Sequence, residues 1–332
     1  MADVARVAGV SPMTVSRALR KHQFVSTKTM ERIEHAVDQL GYVLDKSAGA
    51  LSSRRTGFVA ALVPSLNNSN FADTVRGITS GLTQSGRQVL LGYTDYSIEN
   101  EEQLIEGMLR WRPEGIIVTG GRHTARARKL LQNAGIPVIE TWDLPPNPIQ
   151  NVVGFSNAEA CRALVYRLYE RGYRKIAFLG GTTTRDTRGA DRRLGYQRAV
   201  DELGLPPGRV ISFGSPPISM QQGGEAIVLL LRQWPDVDAV VCVSDLSAFG
   251  AIAECQRRGL DVPDRIAIAG FGDFEVARCS HPRITTVAVD AEAIGQLAAG
   301  QLIRALDSKD LNTPETLVVP FTVLERESTR KA

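Results

Sequence analysis

The sequence predicts an all-α helix-turn-helix headpiece joined to an α/β core of two lobes, each built on a doubly wound parallel sheet. Three observations carry this reading. The excess positive charge is confined to the first 56 of 332 residues; that segment holds two short helical patterns parted by a glycine turn; and from Gly57 onward strand and helix patterns alternate in two sets. The composition, 43% hydrophobic and 23% charged, suits a globular chain, and no stretch is apolar for long enough to cross a bilayer, so no membrane partner is expected. The opening residues show no charged start leading into an apolar run, so no secretory leader is read and a cytoplasmic location is expected. Cys161, Cys242, Cys255 and Cys279 are scattered without a C-x-x-C pair, and none of the four histidines sits at ligand spacing from them. Disulfides, a bound metal and other cofactors are therefore not expected.

Residues 1–56 hold nine Lys/Arg against five Asp/Glu, a net +4, which leaves 30 basic and 31 acidic residues in the other 276. One small basic module ahead of a near-neutral body is the distribution of a chain that meets a phosphate backbone at one end. On charge alone, a solvated basic surface is the alternative. Val4, Ala5, Val7 and Ala8 give a first short helix that Gly9 can close in the left-handed conformation. Ser11 is a good N-cap and Pro12 suits the first helical position, so a second helix runs through Leu19. In a helix-turn-helix the start of the second helix enters the major groove. That makes Pro12, Met13 and Arg17 candidates for base contact, Arg17 the foremost for a guanine, while Ser11, Thr14 and Ser16 suit phosphates and Lys28 supplies backbone charge. An ordinary α-hairpin is the competing reading of the same spacing. Ser26 caps a third helix through Leu40, stopped by Gly41, and the small, polar stretch that follows reads as a linker with little to bury by itself. The headpiece is thus residues 1–42, the linker 43–56 and the core 57–332.

In the core, apolar runs at 58–63, 88–93, 115–118 and 138–141 and again at 175–180, 210–213, 239–243 and 266–270 read as parallel strands, with helices at about 72–84, 158–171, 193–203, 223–233 and 247–258 among them. Ligands of such sheets bind beyond the carboxyl ends of the strands. The loops there present Ser65, Asn68, Phe71, Arg122, His123, Thr124, Trp142, Arg185, Arg188, Arg192, Asp245 and Asp273. Hydroxyl and amide groups suit a polyol, Phe71 or Trp142 can stack on a sugar face, and arginine forks grip carboxylates, so a sugar acid is the favoured ligand class. Competing readings stay open: a solvated loop for Arg122 and His123, surface ion pairs for Arg185 and Arg188, packing for Trp142, and a helix N-cap for Asp245.

The run D-V-A-R-V-A-G-V-S-P-M-T-V-S-R-A-L, followed by L-G-Y and by A-L-S-S-R-R-T-G-F-V-A, resembles the lactose-repressor (LacI/GalR) family, and the resemblance extends over the whole chain, closest to gluconate-operon repressors. The resemblance implies a periplasmic-binding-protein-like core, with lobes at about 57–152 plus 287–312 and 153–286 plus 313–332. It implies a homodimer that reads a pseudo-palindromic double-stranded operator, with Leu51, flanked by Ala48, wedging into the minor groove from a hinge helix. It gives Arg192, in the motif Arg192-Arg193-Leu194-Gly195-Tyr196, an effector contact, and matches Asp245 to a retained acid. The aspartate that family members for neutral sugars place at Gly272 is missing, which favours an acidic ligand. Members of the family carry several residues before the first helix, so that helix is expected either to start uncapped or to continue upstream. The implied function is a repressor of a sugar-acid operon with no catalytic residues. Rival functions on the same core are an enzyme, for which no G-x-G-x-x-G, G-x-x-x-x-G-K-[ST], G-x-S-x-G or H-E-x-x-H is present, a solute-binding protein, and a regulator answering a neutral sugar or a co-repressor.

Overall fold

A computed structural model describes residues 1–19, 25–43, 56–181, 185–308 and 314–330, which form two compact units, Met1–Thr56 and Gly57–Ala332. The linker residues Ala48 and Leu51 lie outside the described residues.

The first unit contains α1 (Ala2–Ala8), α2 (Pro12–Leu19) and α3 (Thr27–Leu40). Gly9 takes the left-handed conformation at φ 62° and closes α1, which starts at Ala2 without a side-chain cap. Among the described residues, seven small or branched side chains (Val4, Ala5, Ala8, Val15, Ala18, Ile33 and Ala36) make the buried core, with Leu19, Met30 and Tyr42 packed around it. So small a core draws support from polar ties: Arg32 on α3 donates to the carbonyls of Ala8 and Gly9, putting a cation on the exposed carbonyl end of α1.

The second unit starts with a six-stranded, wholly parallel sheet in the order β11-β5-β4-β3-β1-β2. Its strands are β1 (Phe58–Val63), β2 (Gln88–Tyr93), β3 (Gly115–Thr119), β4 (Val138–Thr141), β5 (Asn151–Gly154) and β11 (Thr316–Val318). β1 lies between β2 and β3 with Val59 to Val63 all buried, as a central strand covered on both faces requires. Helices α4 (Ser69–Thr83), α5 (Ile98–Arg110), α6 (Ala125–Gln132) and α12 (Ala291–Ser308) complete this lobe. α4 and α12 meet backbone to backbone through glycines: a Cβ added to Gly77 would lie 2.1 Å from the Glu292 carbonyl, and one on Gly295 would lie 2.1 Å from that of Thr74.

The other lobe is a four-stranded parallel sheet, β7-β6-β8-β9, of β6 (Ile176–Gly180), β7 (Val210–Ser212), β8 (Ala239–Cys242) and β9 (Ala267–Ala269). Its helices are α7 (Asn157–Glu170), α8 (Thr187–Glu202), α9 (Met220–Gln233), α10 (Asp245–Arg257) and α11 (Glu275–Cys279), and it carries an antiparallel pair of β10 (Thr286–Val289) and β12 (Phe321–Leu324). The chain crosses between lobes after β5, after β10 and after β11. Because β11 pairs with β5, the third crossing follows Val318 instead of preceding 313, where the sequence reading put it. α4 also begins earlier than expected, since Asn68 accepts from the Asn70 amide and caps a helix whose polar first turn resembles a loop.

Candidate functional site

In the headpiece, Ser11 Oγ accepts from the Thr14 amide at 3.1 Å and bonds the Thr14 hydroxyl at 2.9 Å, so Ser11 caps α2. Val15 and Ala18 turn inward while Pro12, Met13 and Arg17 stand exposed, Met13 at 64%. An exposed methionine flanked by an exposed arginine, at the start of a helix whose other face is buried, is a surface prepared for contact. Thr14 and Ser16 are half-buried at its edge, and Lys28 is exposed in the first turn of α3.

In the core, the loops beyond the carboxyl ends of both sheets enclose a cavity of about 280 Å³. One lobe contributes Asn67, Asn68, Asn70 and Phe71 after β1, Tyr96 after β2 and Trp142 after β4. The other contributes Asp186, Arg188 and Arg192 around the start of α8, Ser244 after β8, and Phe271, Gly272 and Phe274 after β9. Three of its lining rings are linked through buried Phe155: Phe71 meets Trp142 edge-on at 5.5 Å, Trp142 meets Phe155 at 5.9 Å, and Phe155 stacks on Phe271 at 6.3 Å. Trp142 holds a left-handed φ of 69°, costly for a non-glycine residue, and is fixed there by its amide to the Val153 carbonyl, its indole N–H to the Thr74 hydroxyl, and its carbonyl to Asn157. Trp142 therefore packs among these rings at 3% exposure and also lines the cavity.

Arg192 lies flat over Phe271 at 3.8 Å and donates to Asn157 Oδ1 at 3.0 Å and to the Val243 carbonyl at 2.7 Å. Burial pulls its pKa down and Asp186 opposes that shift. Three residues on, Gly195 lets α8 approach α7 so closely that a Cβ would sit 2.0 Å from the Ala158 carbonyl, and buried Tyr196 bonds the Ile176 carbonyl. The Arg-x-x-Gly-aromatic motif is thus a device that fixes an arginine at the cavity. Arg188 is only 6% exposed and reaches the first lobe, donating to the Thr119 carbonyl at 3.4 Å and lying 5.6 Å from the Phe71 ring and 5.7 Å from that of Tyr96. Burial lifts the Tyr96 phenol to about 12, so it is a neutral donor at physiological pH.

Several expected ligand contacts lie elsewhere. His123 is fully enclosed, with Nδ1 2.7 Å from Glu101 and Nε2 3.4 Å from Glu140. Burial alone would lower its pKa, but the two carboxylates outweigh that and raise it to about 9. Thr124 caps α6 through the Ala127 amide and bonds Glu102. Arg122 pairs with Asp191 at 2.5 Å and Arg185 with Asp95 at 3.2 Å, so these two arginines tie one lobe to the other. Ser65 is buried and supports the turn that carries Asn67. Asp245 is neither a cavity residue nor the cap, which is Ser244; its buried carboxylate accepts from the Thr286 hydroxyl at 2.7 Å and the Phe274 amide at 2.8 Å, and burial raises its pKa to about 6. It holds the 271–274 loop in place. Asp273 pairs with Arg326 at 2.6 Å, outside the cavity lining. Of the expected contacts, Asn68, Phe71, Trp142 and Arg192 come together, joined by Arg188, whose reading as a surface ion pair is corrected by its burial. Tyr96, Asn70, Asp186 and Asn157 were missed.

Residues 1–45 match the bacterial regulatory proteins of the lacI family and residues 165–329 a periplasmic binding protein-like domain. The HTH-type transcriptional regulator GntR of Pseudomonas aeruginosa is 39% identical over 328 residues, covering 98% of this chain and 94% of that protein. The chain belongs to the LacI family. The GntR regulator of Escherichia coli K12 is 37% identical over 97% of this LacI-family chain and 96% of its own length. A solved LacI-family transcriptional regulator from Silicibacter pomeroyi superposes with a TM-score of 0.91 at 33% identity, over 99% of both chains. This LacI-family protein is accordingly a DNA-binding transcription regulator with an effector-binding core, and not an enzyme. No helix among its described residues is long and apolar enough to cross a membrane.

Proposed function

We propose that this regulator represses a sugar-acid utilisation operon, of the gluconate or keto-gluconate type, and leaves its operator when the acid binds between the lobes. The observation that carries the reading is the pair of arginines, Arg188 buried and Arg192 half-buried, in an aromatic cavity of about 280 Å³ that also offers Asn68, Asn70 and Tyr96 to hydroxyls. That volume is at the small end for ligand sites, about 300–1,000 Å³, and fits a single metabolite.

On DNA the chain acts as a cytoplasmic homodimer whose two headpieces read the halves of a pseudo-palindromic operator. Pro12, Met13 and Arg17 contact bases, Ser11, Thr14, Ser16 and Lys28 contact phosphates, and Ala48 and Leu51 act at the operator centre, as the family resemblance implies. An open groove of about 710 Å³ along α9 and α10, where Met220 and Leu229 are each 40% exposed, favours self-association through the second lobe. Effector control requires only that the acid bind one arrangement of the lobes better than the other. A thermal-shift screen of hexonates, keto-gluconates and neutral sugars tests the ligand class, because a ligand of the folded state raises the unfolding temperature by mass action. A shift with acids and not with neutral sugars is expected; the reverse pattern, or an undiminished shift in Arg192→Ala, overturns the assignment.

A further inference from the structure

The two arginines of the cavity are held in different ways, and the difference divides their labour. Arg192 is anchored by protein groups: its Nε goes to Asn157, one terminal nitrogen to the Val243 carbonyl, and its guanidinium lies over Phe271. Arg188 is more deeply enclosed than Arg192 but has one long hydrogen bond, 3.4 Å to the Thr119 carbonyl, and no carboxylate within ion-pair distance among the described residues. It rests instead between the Phe71 and Tyr96 rings, and Gly120 leaves it room, since a Cβ there would sit 3.0 Å from its Nη1. A buried cation is costly unless its donors and its charge are answered. Arg188 has donors in hand, faces the cavity, and comes from the opposite lobe to the rings it lies against.

Resting on the sugar-acid reading above, we infer that Arg188 is the residue that selects the acid: its free guanidinium edge receives the ligand carboxylate, while Arg192, partly committed to protein acceptors, positions the cavity wall and offers its remaining donors to hydroxyls. Arg188 donates to Thr119 in the first lobe and is carried by α8 of the second. A carboxylate caught there ties into the contact between the lobes, so selection and closure use one group.

Matched probes separate the roles: gluconate, and sorbitol, which keeps the same chain of hydroxyls with a hydroxymethyl in place of the carboxylate. Calorimetric or competition titrations on the full-length chain are expected to give at least a tenfold preference for gluconate. Arg188→Gln loses that preference, gluconate binding weakening at least about fivefold more than sorbitol binding, and Arg188→Lys, which keeps the charge but not the fork, retains part of it. Arg192→Gln weakens both probes together. Unfolding temperatures of the unliganded variants check that each is folded, and Arg188→Lys provides the folded comparison if Arg188→Gln is not. If the unaltered chain binds the probes equally, or binds only sorbitol, the sugar-acid reading itself fails. If it prefers gluconate and Arg188→Gln keeps that preference, or Arg192→Gln alone abolishes it, the assignment to Arg188 is overturned while the reading stands.

Discussion

Asn157 holds Arg192 by accepting its Nε at 3.0 Å, and the same amide donates to the carbonyl of Trp142 at 3.0 Å. One buried side chain, at the first position of α7 where the chain has just crossed between lobes, thus sets both an arginine and an indole of the cavity. Replacing Asn157 with alanine leaves a buried guanidinium nitrogen and a strained carbonyl without partners, a loss of about 1–3 kcal/mol where it is felt. Ligand affinity in Asn157→Ala is expected to fall by tenfold or more while operator affinity without ligand stays within about twofold. Titration of both ligands on one preparation reads this directly.

The His123 cluster gives the core a pH signature. The folded pKa, raised to about 9 by Glu101 and Glu140, stands above the unfolded value of about 6.5. The stabilisation is therefore complete below about pH 6.5 and lost as pH rises through about 9. Chemical denaturation between pH 6 and 10 should show stability declining over that window, and His123→Gln should flatten the decline.

Close packing of α4 on α12 depends on two missing side chains. Gly295→Ala puts a methyl 2.1 Å from the Thr74 carbonyl, and the helices must separate. Overpacking of this kind costs about 1–3 kcal/mol. A lower unfolding temperature is expected for Gly295→Ala, and an unchanged one would show that the helices part freely.

In the headpiece, Arg17 and Lys28 should fail differently. Arg17→Ala is expected to relax base preference at one operator position, by about 1–3 kcal/mol, whereas Lys28→Ala weakens all sequences alike and lowers the slope of log affinity against log salt by about one. Binding to operator and scrambled duplexes across a salt series separates the two.

What was legible in the sequence was what local chemistry specifies. Gly9, Ser11 and Pro12 fix where α1 ends and α2 begins, alternating strand patterns place Asn68, Phe71 and Trp142 after strand ends, where the cavity forms, and the Arg-x-x-Gly-aromatic motif marks Arg192. What was not legible depends on partners remote in the chain. His123 looks like a polar loop residue until Glu101 on α5 and Glu140 on β4 close over it. Arg122 and Arg185 seem available for a ligand until Asp191 and Asp95 are brought across from the opposite lobe. Asn157 belongs to an ordinary helix start, and only the crossing between lobes reveals its two bonds. The motif marks Arg192 in the sequence, whereas Arg188 is a plain arginine there until its burial beside Phe71 and Tyr96 is seen.

The most direct test of a ligand-released DNA reader is footprinting of the full-length chain on duplexes it selects from a random pool, followed by operator titration at fixed salt with and without gluconate. A protected pseudo-palindrome is expected, with affinity falling at least tenfold in gluconate and unchanged in sorbitol. No protected palindrome, or an affinity indifferent to every sugar acid tried, would contradict the account.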